Sequence, residues 1–558
     1  MSALPRRREP APDRASDEER GAASPARATT TDAAVARPAK PPPPGTPTTT
    51  VQAAAAPHRG AITVSIMLAT IMQALDSTIA NVALPHIQGS LAASSDTITW
   101  VLTSYIIAAA IMTPMAGWLS GRYGRKQVFL VAVAGFTIAS MLCGIAESLT
   151  QMVVYRLLQG VFGAALVPLS QAVLLDINPR EKHGSAMAIW GAGIMIGPIL
   201  GPVLGGWLTD AYNWRFVFYI NLPVGILAFA GIMAFMPRAG RDADRPFDFF
   251  GFLMLGLGIG ALQMMLDRGE LKDWFGSTEI ILEGALALGG LYVFLTHSLT
   301  AKHPFMHPEL FRDRNFVAGL VLIFIVGSIL LATLALLPPM LQNLMGYPVI
   351  TTGLVTAPRG VGMMVAMIVV GRLVNRFDSR LLMLVGLVLT AYSLYQMTGY
   401  SLLMGEGPII SAGVVQGCGL GFIFVPLSTT TFATLPAKYR TEAAGIYSLM
   451  RNIGSSLGIA VVQALLTQNT QINHANLAEH VTRFNPLLQF PQITRFWDIR
   501  TVAGLAALDQ EVTRQAAMIA YLNDFKLMMI VTLTAIPLLL LVRKPTRRTS
   551  AVVAGAVE

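Results

Sequence analysis

The sequence predicts an all-α membrane protein with about fourteen membrane-spanning helices, and three observations support this fold class. Hydrophobic residues make up 53% of the 558 residues, charged residues make up only 13%, and the mean hydropathy is +0.57. Soluble domains average about 25% charged residues, so this composition is typical of a polytopic membrane protein. The apolar runs are near the length of about 20 residues that a helix needs to cross a bilayer. Several short motifs also occur twice.

The repeated motifs indicate two parallel repeats, an architecture found in membrane transporters. They keep their order at an offset of about 255 residues and include Leu84-Pro85 with Leu337-Pro338, and Gln159-Gly160 with Gln416-Gly417. Two repeats of six helices leave two helices between them. We therefore expect an N-terminal six-helix bundle at 61–237, two linker helices at 246–300 and a C-terminal six-helix bundle at 312–543.

The segments outside the predicted helices differ in composition. Residues 1–60 are rich in proline, alanine, threonine and arginine without periodicity, which predicts a disordered cytoplasmic tail. Residues 544–558 form a second predicted cytoplasmic tail, and 466–521 a long periplasmic loop. Lysine and arginine cluster in alternate connections, which predicts that both chain ends lie in the cytoplasm.

Several classes of function are disfavoured by the sequence. Cys143 and Cys418 both fall in apolar runs, which argues against a disulfide framework or a metal site. We find no phosphate-binding loop, no nucleophile–base pair and no metal-ligand spacing. The basic residues lie between apolar runs, a placement that sets membrane topology rather than binding nucleic acid. We expect neither an enzyme nor a bound cofactor.

Asp76 is an acid deep inside the first apolar run, where an ionised carboxylate costs several kcal/mol. Gln73, Ser77 and Asn81 share its helix face, so this face is predicted to line a cavity. Asp76 is then either a proton carrier or a hydrogen-bonded acid that locks helices together. Arg156, in the fourth apolar run, keeps its proton and needs a partner. It is either close to Asp76, helping it to bind a proton, or extended to the membrane surface.

Polar and flexible side chains in other apolar runs are predicted to line a substrate cavity. Methionine thioethers suit a cavity that accepts varied apolar compounds. The predicted cavity residues are Gln73, Asn81, Gln159, Gln171, Gln263, Met265, Gln416, Tyr447, Arg451 and Asn452.

Two motifs are candidates for conformational gating. The basic segment 117–126 either anchors the helices at the membrane surface or forms a latch in which Arg122 or Arg125 pairs with Asp176. The fifth run carries glycines four residues apart, which let helices approach closely. They serve either static packing or a hinge between the repeats. The gating residues predicted in this run are Gly197, Gly201, Pro202, Gly205 and Gly206.

Taken together, these motifs resemble the major facilitator superfamily and, within it, the fourteen-span drug:proton antiporter branch of EmrB- and QacA-like pumps. Residues 75–85 resemble the first-helix motif of that branch, Arg156 with Gln159-Gly160 its proton-coupling motif, and 197–206 its antiporter motif. The segment 262–275 is similar to EmrB-like pumps. Gly121 departs from the family, whose loop motif commonly has an acid there.

This resemblance implies a function, partners and a location. The function is export of hydrophobic drugs or toxic compounds across the bacterial inner membrane, in contact with lipid and driven by the proton motive force. The partners are a periplasmic membrane-fusion adaptor and an outer-membrane channel. The alternatives are an exporter of one metabolite, such as a fatty acid or an antibiotic, a non-transporting membrane receptor, or an uptake symporter.

Overall fold

The computed structural model describes residues 58–238, 246–482 and 484–543. In this part of the chain the secondary structure is helical, without a β-strand. Thirteen helices are long and apolar enough to cross a membrane, and two shorter helices bent by 55° form a fourteenth candidate span. The all-α prediction is confirmed. The spans are α1 Arg59–Ser90, α2 Trp100–Met112 with Met115–Tyr123, α3 Arg125–Gly144, α4 Leu149–Ile177, α5 His183–Ala211, α6 Phe216–Phe235, α7 Phe249–Arg268, α8 Thr278–Thr300, α9 Arg314–Leu344, α10 Val349–Leu373, α11 Ser379–Met397, α12 Glu406–Ala433, α13 Arg440–Ala478 and α14 Val502–Leu541.

Local signals in the sequence set several helix ends. Asp248, Asp313 and Thr501 each accept a hydrogen bond from a backbone N–H in the first turn of α7, α9 and α14. Gly124 joins α2 to α3 with φ of 89°, a conformation that costs other residues more than glycine. The predicted tail at 1–60, up to residue 57, and the predicted tail at 544–558 lie outside the described residues.

The helices pack in two groups of six. Helices α1 to α6 pack with one another, as do α9 to α14, and α7 packs against α8. The α7–α8 pair contacts both groups. In α7, Gln263 Nε2 donates to Ser456 Oγ of α13 at 2.8 Å, and Asp267 accepts a hydrogen bond from Thr103 of α2. Helix α7 therefore bridges the groups, and α8 packs on α7.

The predicted long loop at 466–521 is wrong in extent. Helix α13 continues to Ala478 and α14 begins at Val502, so the connection is only 479–501. The polar ends of the two helices pair with each other. His474 Nε2 lies 2.9 Å from Asp509 Oδ1, and Asn473 Nδ2 donates to the carbonyl of Ala516 at 3.4 Å. Hydropathy detects helices that are buried in lipid. It does not detect a polar helix pair in water, although the backbone hydrogen bonds of that pair are intact.

Candidate functional site

Asp76 is held by polar side chains from two other helices of the first group. Arg156 Nη1 of α4 donates to Asp76 Oδ2 at 2.7 Å. Gln159 Nε2, also of α4, donates to Asp76 Oδ1 at 2.7 Å, and Asn221 Nδ2 of α6 donates to the same oxygen at 2.9 Å. Asn221 also donates to Ser140 Oγ of α3 at 2.9 Å. The carboxylate therefore ties α1 to α4 and α6.

Arg156 makes further contacts within this network. Its Nε donates to the carbonyl of Val101 at 3.0 Å, its Nη1 donates to Gln159 Oε1 at 2.8 Å, and its guanidinium lies 4.4 Å from the ring centre of Tyr105. Asp76 is 0% and Arg156 1% exposed. Removing two charges from water is compensated only when the pair has good geometry and further hydrogen bonds, as here.

In this conformation Asp76 does not line the cavity that was predicted from its helix face. Its carboxylate points into its own helix group and has no exposed surface. The other polar residues on that helix face lie in different environments. Gln73 Nε2 donates to the hydroxyl of Tyr105 at 2.9 Å, whereas Asn81 is exposed. Asn221 and Ser140 were not predicted as site residues, although each is a polar residue inside an apolar run.

The other predicted cavity residues do not form one cluster. Gln159, Gln171, Gln416 and Tyr447 are fully buried, so none of them lines an accessible cavity in this conformation. Gln416 Nε2 donates to Thr333 Oγ1 at 3.2 Å, and the hydroxyl of Tyr447 lies 3.3 Å from Ser428 Oγ. Buried Gln263 belongs to the contact of α7 with α13. The predicted cavity residues that are partly exposed are Gln73, Met265, Arg451 and Asn452.

The predicted latch residues meet at one end of the molecule, where α2 joins α3, α4 joins α5 and α12 joins α13. We call it the basic end. Arg125 forms an ion pair with Asp176, and Arg440 Nη1 of α13 donates to the same carboxylate at 2.8 Å. Arg125 Nε also donates to Thr441 Oγ1 of α13 at 2.9 Å. Asp176 thus joins the two helix groups through Arg440, which was not predicted.

Arg122 lies elsewhere at the basic end, with its guanidinium 5.8 Å from the ring centre of Trp118. Gly117 lies at the contact between the two helix groups. A Cβ atom at Gly117 would lie 2.7 Å from Cα of Glu442 in α13, closer than side-chain atoms normally approach. Glycine at this position therefore allows α2 and α13 to touch.

The glycine ladder of α5 packs against α1, within the first helix group. A Cβ at Gly197 would lie 2.6 Å from the carbonyl carbon of Ala74, and one at Gly205 2.9 Å from Ile79. Gly201 faces Thr78, whose hydroxyl donates to the carbonyl of Gly197 at 3.1 Å. This arrangement favours static packing. Pro202 is exposed, and a Cβ at Gly206 would have no atom within 4 Å.

The family model described as Major Facilitator Superfamily matches residues 66–459 of the chain. The chain belongs to this superfamily. The predicted resemblance is confirmed, as is the prediction that the protein is not an enzyme, because members of the superfamily are transporters.

Curated superfamily members match most of the chain. The fatty acid resistance protein FarB of Neisseria gonorrhoeae is 38% identical over 437 residues, covering 77% of this chain and 86% of that protein. The multidrug export protein EmrB of Haemophilus influenzae is 35% identical over 466 residues, covering 82% and 90%. EmrB of Escherichia coli K12 is 35% identical over 430 residues, covering 77% and 84%.

Solved structures of superfamily members share the fold. The human organic anion transporter MFSD10 (TETRAN) aligns with a TM-score of 0.55 at 13% identity, covering 85% of this chain and all of that one. The proton:xylose symporter XylE aligns with a TM-score of 0.55 at 13% identity, covering 85% and 95%. At these identities the likeness shows the fold alone.

Proposed function

We propose that this superfamily member is a proton-driven antiporter that exports hydrophobic compounds across the bacterial inner membrane by alternating access. The observation that carries the proposal is the fully buried pair of Asp76 and Arg156, a titratable acid and a permanent cation in the same apolar helix group. Relatives named for multidrug export and fatty acid resistance support the export direction.

Protonation of Asp76 would leave Arg156 without a counter-charge. In the ionised state the pair is neutral, and Asp76 accepts three hydrogen bonds. A proton on Asp76 removes the negative charge and leaves a buried cation without its partner, a situation that costs about 3–5 kcal/mol. Admitting water or moving α4 relative to α1 relieves that cost. Proton binding and helix movement are coupled in this way.

Alternating access also needs a gate, and the basic end supplies one. Because lysine and arginine mark the cytoplasmic side, we place this end in the cytoplasm together with both chain ends. The contacts of Asp176 with Arg125 and Arg440 then hold the cytoplasmic side closed. Opening toward the cytoplasm breaks the link to Arg440, which joins the two helix groups.

The driving force is sufficient for export. One proton moving inward supplies about 2.3 kcal/mol per 100 mV of membrane potential. A tenfold concentration ratio requires about 1.4 kcal/mol. We further propose that the pump hands its substrate to a periplasmic adaptor and an outer-membrane channel.

Transport by purified protein in liposomes tests the proposal. With an imposed pH gradient, wild-type protein is expected to move dyes or uncouplers, and Asp76→Asn is expected to abolish this movement while remaining folded. Asp509→Asn, which changes an acid at the surface, is the matched control and should transport normally. Undiminished transport by Asp76→Asn would remove Asp76 from the mechanism. Absence of flux in wild-type protein would favour a receptor.

Fatty acid export is the second candidate, because FarB is among the relatives. Competition between long-chain fatty acids and dyes in the same liposomes separates the candidates. A multidrug pump should accept several unrelated compounds, whereas an exporter of one metabolite should be saturated by that compound alone.

A further inference from the structure

The second helix group holds a buried acid of its own, Asp524 in α14. Its side chain is 1% exposed, and its Oδ2 accepts no hydrogen bond from the described residues. No charged group in the described part of the chain acts on it. Along α14 it lies about 15 Å from Arg514, which donates to the last residue of α9. Asp524 is therefore deep inside the helix group and has no counter-charge there.

The helices packed around Asp524 bring apolar side chains to it. Helix α14 packs against α9, α11 and α13. Buried residues of these helices form one cluster with the residues one turn from Asp524, and this cluster includes Leu337, Leu394, Val462, Tyr521, Phe525 and Met528. An ionised carboxylate in such surroundings has neither water nor a cation to stabilise it. We therefore expect Asp524 to carry a proton in this conformation.

The titratable groups near Asp524 are few and are uncharged at neutral pH. Neither 324–344 of α9 nor 452–473 of α13 contains a titratable residue. Tyr521 lies one turn away on α14, and Tyr400, which follows α11, belongs to the same buried cluster. Asp524 can therefore exchange its proton only with water. The other titratable residues on the facing stretches of α11 and α14 are exposed, namely Tyr392, Tyr395 and Lys526.

The second group repeats part of the polar site of the first group. Gln416, the repeat of Gln159, donates to Thr333 Oγ1 of α9 at 3.2 Å, and its Oε1 is buried without a donor among the described residues. The same hydroxyl lies 3.8 Å from Sδ of Met528, which is one turn from Asp524 on α14. Each group thus holds a glutamine near a buried acid, but in the described chain only the acid of the first group has an arginine partner.

We propose that Asp524 is a second proton-binding site, so that the transport cycle carries two protons for each substrate molecule. The proposal rests on the proposed function, because water reaches this site only through the helix movements of alternating access. Asp524 takes a proton from water on the periplasmic side and gives it to water on the cytoplasmic side, and only its O–H bond forms and breaks. An acid that served packing alone would gain nothing from its buried oxygen, which accepts no hydrogen bond from the described residues.

Asp524→Asn tests the proposal, because it keeps the shape of the side chain but cannot bind a proton. In liposomes with a pH gradient of about one unit and no membrane potential, each coupled proton multiplies the equilibrium ratio of ethidium concentrations by about ten. Wild-type protein should reach a ratio of about 100, and Asp524→Asn a ratio of about ten. Asp524→Glu keeps the carboxyl group and should restore most of the difference. Asp509→Asn, at an exposed acid of the same helix, should match wild type.

Infrared spectroscopy detects the proton on Asp524 without depending on transport. At neutral pH, wild-type protein should show the C=O stretch of a protonated carboxyl group. This band should weaken in Asp524→Asn and stay unchanged in Asp509→Asn.

Several results would overturn the proposal. One is an equal ethidium ratio in wild type and Asp524→Asn, and another is a carboxyl band that the substitution leaves unchanged. A wild-type ratio of only about ten would mean one proton per substrate, and this result holds even if Asp524→Asn does not fold. A ratio that follows a sodium gradient would assign the site to sodium instead. Absence of wild-type transport would contradict the proposed function, while the infrared band would still report on Asp524.

Discussion

At the scale of single residues, the sequence leaves two roles for Asp76 and Arg156, a structural lock between helices and a proton carrier. The structure shows an acid that links three helices. A structural lock needs only matched hydrogen bonds, whereas a proton carrier needs a carboxylate. Substitutions that preserve shape but remove charge separate the two roles.

Arg156→Met is expected to destabilise the protein by about 3–5 kcal/mol, because it leaves the Asp76 carboxylate buried without its cation. Adding Asp76→Asn should restore most of that stability, since the pair is then neutral. Thermal unfolding of the purified single and double variants measures these changes in stability. Transport should stay absent in the double variant.

A double variant that regains both stability and pH-driven transport would show that Asp76 is only a lock. A double variant as unstable as Arg156→Met would contradict the account of the pair's energetics. Gln159 and Asn221 are left unchanged in all variants, so the remaining hydrogen bonds are comparable.

The pair of Asp76 and Arg156 could be predicted from the sequence for a physical reason. A charge in hydrocarbon needs an opposite charge, and few are available within the apolar runs. Neutral polar residues carry no such demand, so Asn221 and Ser140 could not be assigned to the site. Gln171 shows the opposite failure: its side-chain amide is buried without a hydrogen-bond partner among the described residues, although its polarity predicted a cavity.

At the scale of helices, hydropathy located the spans but not where helices end in water. Apolar length identifies a span because an unpaired backbone in lipid is costly. Hydropathy does not detect the ends of α13 and α14 that face each other across the connection 479–501, because these ends are polar although they are still helical. The position of Arg440 opposite Asp176 depends on how the two helix groups meet, and these residues are 264 apart in sequence. No local pattern specifies that contact.

Gly117→Val is expected to weaken the contact of α2 with α13, because the added side chain would meet the backbone of Glu442. Ala443 of α13 is fully buried, so a cysteine there should react with maleimide severalfold faster when the basic end opens. Cys143 and Cys418 are replaced by alanine beforehand.

Gly206→Val is the matched control, since a side chain at Gly206 meets no atom within 4 Å. Its labelling rate should equal that of the parent protein. Equal rates in both variants would show that Gly117 is not needed for closure.

At the scale of the whole molecule, the proposed transport cycle requires the Asp76 site and the charged contacts between the two helix groups to act together. Asp176 accepts from a cation of the first group and a cation of the second, so one carboxylate links the two groups at the basic end. Linker helix α7 touches both groups, so it must follow any movement between them.

Asp176→Asn should therefore shift the population toward a state open at the basic end. Losing one or two kcal/mol from the closed state changes the ratio of states by about 5- to 30-fold. Spin labels at Tyr123 and Lys438 report the distance between the groups at the basic end. Labels at Tyr212 and Leu403 report it at the opposite end. Alternating access requires the first distance to lengthen while the second shortens, because the groups turn as rigid bodies about the centre. If both distances lengthen, the variant has loosened the fold. If neither changes, Asp176 does not hold the gate.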